Sequence, residues 1–324
     1  MLAPVIAAVD GSEESLAAAA WAAREAVRRE RPLSLLHAWN RHPREQAETA
    51  TAAQRHLALR VLRTAEERIL EGCPDVVVHD EQVEGPATAA LLRAAGGCDT
   101  LVLGSRGLSG FTGFLVGSVA LGVVAHAPCP VVLVRAGEES ADEHRLAADG
   151  SASTRTAYRD VVLGVDLADP CDEVIGYAFE AARTRGARLR AVHARRPVAP
   201  PLLGPGGIGP VDETRRTETR RAEAWQAEAW QAQTRRTDEW RAEEWRCFLA
   251  AVLHAWRDKY PGVEVVETIA EDHPRQALVR AASDASLLVV GRRDTGRPAG
   301  PRTGRVAHAV IHHAGCPVAV VPHA

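Results

Sequence analysis

Four residues, in one loop and at the head of the helix behind it, have the types and spacing to hold phosphate. Gly104 and Gly107 follow directly on the apolar run Thr100 to Leu103, and nine residues further on Gly117 and Ser118 precede the helical run Val119 to His126. Glycines let backbone N–H groups approach an anion closely. A helix beginning at Gly117 or Ser118 adds unpaired N–H donors and a favourable dipole. Ser118 contributes a hydroxyl donor, and Arg106 within the loop either screens phosphate charge or is simply solvated. No lysine follows the glycines, so the loop is not a Walker A motif, and it does not follow the first strand as a dinucleotide fingerprint would. A second candidate is Asp10, in VDGSEES (Val9 to Ser15), where Asp-Gly-Ser ahead of a helical run is also a helix-start signal.

Other groups with chemical potential are less well patterned. His308, His312 and His313 share the last helical run, but their spacing does not put all three on one face, so helix-end histidines are expected and no metal site. Six cysteines (Cys73, Cys98, Cys129, Cys171, Cys247 and Cys316) include no CxxC pair, which argues against a zinc site or a disulfide framework and for buried, reduced thiols. No residue is assigned a catalytic role.

The elements that must position the glycine loop form a repeat. VVAHAPCPVVLV (Val123 to Val134) matches VIHHAGCPVAVV (Val310 to Val321) at an offset of 187, which also carries Gly104 onto Gly291 and Gly117 onto Gly304. Asp10 falls on Asp166 and His37 on His193 at an offset of 156, so the second copy holds an insertion between His193 and Gly291. Apolar runs alternate with helical segments in each copy, the pattern of βαβ units and a mainly parallel sheet. Strands are predicted at Pro4 to Val9, Leu33 to Trp39, Asp75 to Val78, Thr100 to Leu103 and Pro130 to Val134. The expected fold class is α/β: two doubly wound, mainly parallel five-stranded domains in tandem, spanning residues 1–138 and 159–324 with a polar linker at 139–158. In such a sheet the ligand sits beyond the carboxyl ends of the strands, at the switch point.

The insertion is a Trp-rich helical segment at about 213–246, preceded by a Pro/Gly-rich loop, Pro200 to Pro210. Its approximate pentads turn about 140° per step on an ideal helix, so Trp225, Trp230, Trp240 and Trp245 do not share a face. It reads either as a lengthened helix or as a surface for a protein partner. A composition of 46% hydrophobic and 25% charged residues, with a net charge of -3, is globular and disfavours nucleic-acid binding, which needs clustered cations. No apolar run reaches the roughly 18 residues of a membrane span, and no basic leader precedes Asp10; a cytoplasmic protein is expected.

The G-x2-G-x9-G-S pattern at Gly104, Gly107, Gly117 and Ser118, with VDGSEES, LLHAW (Leu35 to Trp39) and HAPCPVVLV, resembles the universal stress protein family, whose fold is similar to that of the adenine nucleotide alpha-hydrolases. The resemblance spans both copies apart from the linker and the Trp segment. It implies that the first copy binds ATP, with Mg2+ accompanying it. Asp10 would then hydrogen-bond the adenosine, Ala8 and Val9 would line the pocket, and the backbone of Ala38 would meet the adenine edge. Leu103 and Gly104 would cover base and ribose, and Gly107, Gly117, Ser118 and the Val119 amide would hold the phosphates, with Arg106 near them. It also implies that the two halves meet along their last strands as an internal pseudo-dimer, and a homodimer is a further possibility.

The second copy departs from the pattern. Asp294 replaces the second glycine and Arg305 the serine, and the intervening loop contains prolines that lack N–H groups. Weak or no ATP binding is expected there, the alternative being an altered anion site using Arg292, Arg293 and Arg305. The expected function is therefore a nucleotide-dependent stress-response regulator rather than an enzyme. A slow ATPase, a nucleotide-independent interaction module, and preference for cyclic AMP or another adenine nucleotide stay open.

Overall fold

Val5–Ala8 (β1), Leu33–Trp39 (β2) and Thr100–Gly104 (β4) are short runs of Val, Leu, Ile and Ala because their strands lie in the middle of a sheet covered on both faces. The computed structural model describes residues 2–39, 48–106, 116–195, 241–294 and 303–324. Gly107, Trp225, Trp230, Trp240, the loop Pro200 to Pro210 and residues 295–302 lie outside them.

The remaining strands among the described residues are β3 (Val78–Glu84), β5 (Val131–Val134), β6 (Asp160–Gly164), β7 (Leu189–Arg195), β8 (Val265–Glu271), β9 (Ala285–Arg293) and β10 (Val318–His323). All ten form one sheet in the order β3-β2-β1-β4-β5-β10-β9-β6-β7-β8. Neighbours run parallel except at its centre, where β5 and β10 pair antiparallel with Ala319 opposite Val132. Each half is thus a five-stranded doubly wound sheet, and the last strands join the halves as the resemblance implied.

The third strand corrects the sequence reading. It starts at Val78, where the predicted Asp75 to Val78 ends, and its side chains (VHDEQVE) are largely polar. As an edge strand it pairs on one side only, with Leu33 opposite Val78, and its exposed side chains need not be apolar.

Helices α1 (Glu13–Arg28), α2 (Glu48–Gly72), α5 (Asp172–Arg185) and α6 (241–259) cover one face, built around Trp21, Leu62, Phe179 and Leu253. Helices α3 (Ala87–Ala94), α4 (Ser118–His126), α7 (Pro274–Ala281) and α8 (Arg305–His313) cover the other, around Leu91, Val123, Leu278 and Val310. Of the cysteines, only Cys129 and Cys316 are fully buried and Cys247 is exposed, so the expectation of uniformly buried thiols does not hold.

Polar contacts across the join repeat with the sequence. Trp21 and Arg29 on α1 correspond to Tyr177 and Arg185 on α5. The Arg185 guanidinium lies 5.6 Å from the Trp21 ring centre, and that of Arg29 lies 4.6 Å from Tyr177. On the opposite face Arg135 donates to the His312 carbonyl at 2.8 Å, and Arg292 donates to the matching Ala125 carbonyl at 3.2 Å and to Ala127 at 2.7 Å. Each half therefore supplies an arginine to the last turn of the other half's helix, where exposed carbonyls favour a cation. The exchange of Arg185 and Arg29 between equivalent rings is that of a self-complementary twofold interface, whereas Arg135 and Arg292 come from non-equivalent positions of the repeat.

The polar segment read as a linker is packed. Its Glu143 is buried and receives Arg24 and Arg28, each at 2.7 Å, and His144 bridges to Tyr158. The partners of Glu143 come from α1, far away in sequence, so no local pattern marks the segment as ordered.

Candidate functional site

The first domain's cavity opens where β1 and β4 diverge toward α1 and α4, at the switch point of its sheet. Its volume is about 310 Å³, and its lining brings together Ala8, Val9, Asp10, Ala38, Leu103, Gly104, Arg106, Gly117, Ser118 and Val119. Every predicted site residue within the described part of the chain is among them. Ser15, Leu36, Ala87, Leu91 and Ala120 also line it and were missed. Leu36 shares a strand face with Ala38 and was within reach of a period-two reading; Leu91 looks like any core leucine of a helix.

Asp10 organises the turn that leads into α1. Its Oδ1 accepts from the Ser12 amide at 3.0 Å and from the Ser12 hydroxyl at 2.6 Å. Ser12, not Asp10, is the helix cap, with its Oγ accepting the Ser15 amide. The Ser15 Oγ in turn accepts the Asp10 and Gly11 amides, each at 3.2 Å. Gly11 has φ +88°, a conformation that L side chains rarely adopt. Behind the turn, His37 Nδ1 donates to the Val9 carbonyl at 2.7 Å. A carbonyl can only accept, so that ring nitrogen carries the hydrogen. The carboxylate is thus oriented at the cavity rim by short-range bonds to Ser12.

Gly104 is where the backbone of α1 comes closest to β4. A Cβ there would lie 2.8 Å from both the Glu14 carbonyl carbon and the Ser15 nitrogen, so no other residue fits without moving the helix start. The loop's far end is tied back by the Gly117 amide, which donates to the Ser105 carbonyl at 2.9 Å. Gly117 is the N-cap of α4 and brings no capping side chain. The first-turn amides of Ser118, Val119 and Ala120 therefore face the cavity end without intrahelical acceptors, beside Arg106, which pairs with Glu14 at 3.3 Å. One end of the cavity is apolar (Ala8, Leu36, Ala38, Leu91, Leu103) and the other presents the first-turn amides of α4 and Arg106.

The second domain has the larger of the two cavities, about 500 Å³, lined at equivalent places by Gly164, Asp166, Ala194, Gly291 and Arg293, and in addition by His193. His193 Nδ1 repeats the His37 bond, donating to Val165 at 3.0 Å, and stacks on Trp245, with ring centres 5.1 Å apart. Its chemistry differs. Asp169, Cys171 and His323 gather at its rim, Cys171 Sγ lying 3.0 Å from His323 Nδ1, and Arg293 is paired with Asp169. Burial, with Asp169 and Glu173 nearby, pushes the Cys171 thiol above its usual range. Arg292 is buried against the α4 carbonyls of the other half, which overturns its part in an altered anion site. Size alone would favour this cavity for a nucleotide, and α8 also begins behind a glycine without a capping side chain, but Gly304 has φ +71° where Gly117 has φ −65°, and the first helical residue is Arg305 in place of Ser118.

The protein-family model described as the universal stress protein family matches residues 1–135 and 157–322. A universal stress protein of Mycobacterium tuberculosis (strain ATCC 25618 / H37Rv) is 29% identical over 325 residues, covering 98% of this chain and 95% of the relative. Another of Mycolicibacterium smegmatis is 27% identical over 328 residues, covering 98% and 96%. Among solved structures, a universal stress protein from Archaeoglobus fulgidus superposes with a TM-score of 0.62 at 17% identity, covering 99% of this chain and 98% of that one, which is a likeness of fold.

Proposed function

Because the chain belongs to the universal stress protein family through both of its halves, we propose that its first domain binds ATP and that the protein is a nucleotide-dependent regulator of the stress response. The observation that carries this reading is the polarity of one cavity, apolar around Leu36, Ala38 and Leu103 and donor-rich at the N-terminus of α4. An adenosine suits the first end, where a ring can be buried against aliphatic side chains while Asp10 takes a ribose hydroxyl. A phosphate chain suits the second, where the amides of Ser118 and Val119 donate and Arg106 supplies positive charge. Mg2+, when present with ATP, would neutralise part of the triphosphate charge.

In this reading ATP is a ligand, and its occupancy acts on the contacts that α1 and α4 make with the second half. The loop at Ser105 and Gly117 is tied to β5 through the Ser105 amide and the Val134 carbonyl, 2.7 Å apart, and β5 is the strand that joins the halves. The test is to extract purified protein with acid and identify released nucleotide by mass spectrometry, then to add ATP to stripped protein and follow thermal unfolding. ATP in the extract, or a rise in unfolding temperature that depends on ATP concentration, is the expected result. No nucleotide and no shift at millimolar ATP would overturn the proposal.

A further inference from the structure

The two cavities differ most where the second has gained metal-type donors. Asp169, Cys171 and His323 offer a carboxylate oxygen, a thiol sulfur and an imidazole nitrogen that all lie within 4.8 Å of one another. The repeat puts Glu13, Ser15 and Ala136 at the corresponding places in the first domain, so the set belongs to the second alone.

The fold assembles it by extending the sheet. The pairing of β4 with β5 ends with Gly104 opposite Val134, and that of β9 with β10 passes the equivalent point to pair Pro322 with Arg292 and His323 with Arg293. The extension carries the His323 ring over Gly291, where a Cβ would approach two of its ring atoms to 3.0 Å. Gly291, the repeat equivalent of Gly104, thus makes room for an imidazole. Cys171 is the N-cap of α5 and lies at the mouth of the turn after β6, and Asp169 is two residues before it. Arg293 pairs with Asp169 and orients its carboxylate, and Asp166 lines the same cavity, adding negative charge.

We propose that Asp169, Cys171 and His323 bind one divalent transition-metal ion, Zn2+ fitting the donor set best, with a fourth position open to the cavity. One thiolate, one imidazole and one carboxylate form a donor set that this ion accepts in tetrahedral geometry. Ligand atoms on such an ion are about 3.3–3.8 Å apart; the sulfur and the His323 nitrogen are already at 3.0 Å, and Asp169, in the turn before α5, closes the rest. On binding, the Cys171 S–H bond breaks, the sulfur pair goes to the metal and the proton to solvent. The proposal does not depend on nucleotide binding by the first domain.

The test uses the full chain, stripped with chelator and titrated with Co2+, whose thiolate charge-transfer and tetrahedral bands report the site directly. One equivalent of Co2+ developing both bands, displaced by Zn2+, is expected. The charge-transfer band should vanish in Cys171→Ser, Asp169→Asn should weaken Zn2+ binding by ~10-fold or more, and Cys247→Ser, at an exposed thiol, should change nothing. If Cys171→Ser does not fold by circular dichroism, loss of the tetrahedral band in His323→Ala serves in its place. No charge-transfer band in the parent protein, one that survives Cys171→Ser, or one lost in Cys247→Ser would overturn the proposal.

Discussion

Arg185 Nη2 lies 2.7 Å from Glu25 Oε2, and both side chains are fully buried. The pair joins α1 of the first half to α5 of the second, and Glu25 also holds Arg28 at 3.2 Å and Arg29 at 2.6 Å on its own helix. The repeat puts Ala181 opposite Glu25, so one carboxylate serves the arginines of both halves.

Removing that carboxylate takes away the buried counter-ion of Arg185 and leaves it the Ala181 carbonyl at 3.1 Å and the Trp21 ring. Glu25→Gln should destabilise the protein by about 3–5 kcal/mol, read as a fall in the urea midpoint. A change below about 0.5 kcal/mol would show that the contact does not hold the halves together.

The same residue sets an acid limit. Burial alone would raise the Glu25 pKa, but Arg185, Arg29 and Arg28 outweigh it and hold the carboxyl far below the usual carboxylate range. A depressed folded-state pKa contributes stability that is complete above the unfolded value of 4.5 and is lost as pH falls below it toward the folded value. Unfolding midpoints should therefore decline below about pH 4.5, and the decline should be shallower in Glu25→Gln.

Glu138 has the opposite sign. Burial, with Asp142 and Glu143 nearby, pushes its pKa up to about 7. The folded state then keeps a proton that the unfolded chain gives up, so stability falls as pH rises from 4.5 to about 7 and stays lower above it. Glu138→Gln should raise the melting temperature at pH 8 more than at pH 4, and equal effects at both would refute the assignment.

Gly104→Ala tests the close approach of α1 to β4. The added carbon meets backbone, not a flexible side chain, so the helix start and with it Asp10 must shift. ATP affinity should fall by ~10-fold or more, with far-UV circular dichroism unchanged. Undiminished affinity would place the nucleotide elsewhere.

The glycine loop, Asp10 and the central strands were legible in the sequence because their signals are local: a glycine after an apolar run, a turn before a helix, and near-continuous Val and Leu. β3 was not, because an edge strand is free to be polar. The order in 139–158 was not, because Glu143 is buried by Arg24 and Arg28 of a helix more than 100 residues earlier. The Asp169, Cys171 and His323 cluster was hidden for the same reason, its sulfur and imidazole being 152 residues apart, and the absence of a CxxC pair pointed away from it. A two-residue extension of paired strands leaves no mark that a periodicity reading detects.

The central claim, that the first domain is the nucleotide site, is tested most directly by isothermal titration of ATP into stripped wild-type protein and the Gly117→Asp variant. Asp is a good helix N-cap, so the variant should fold, but its carboxylate occupies the anion end of the cavity. One equivalent of ATP bound by the wild type and none by the variant is the predicted result; two equivalents, or undiminished binding by Gly117→Asp, would contradict it.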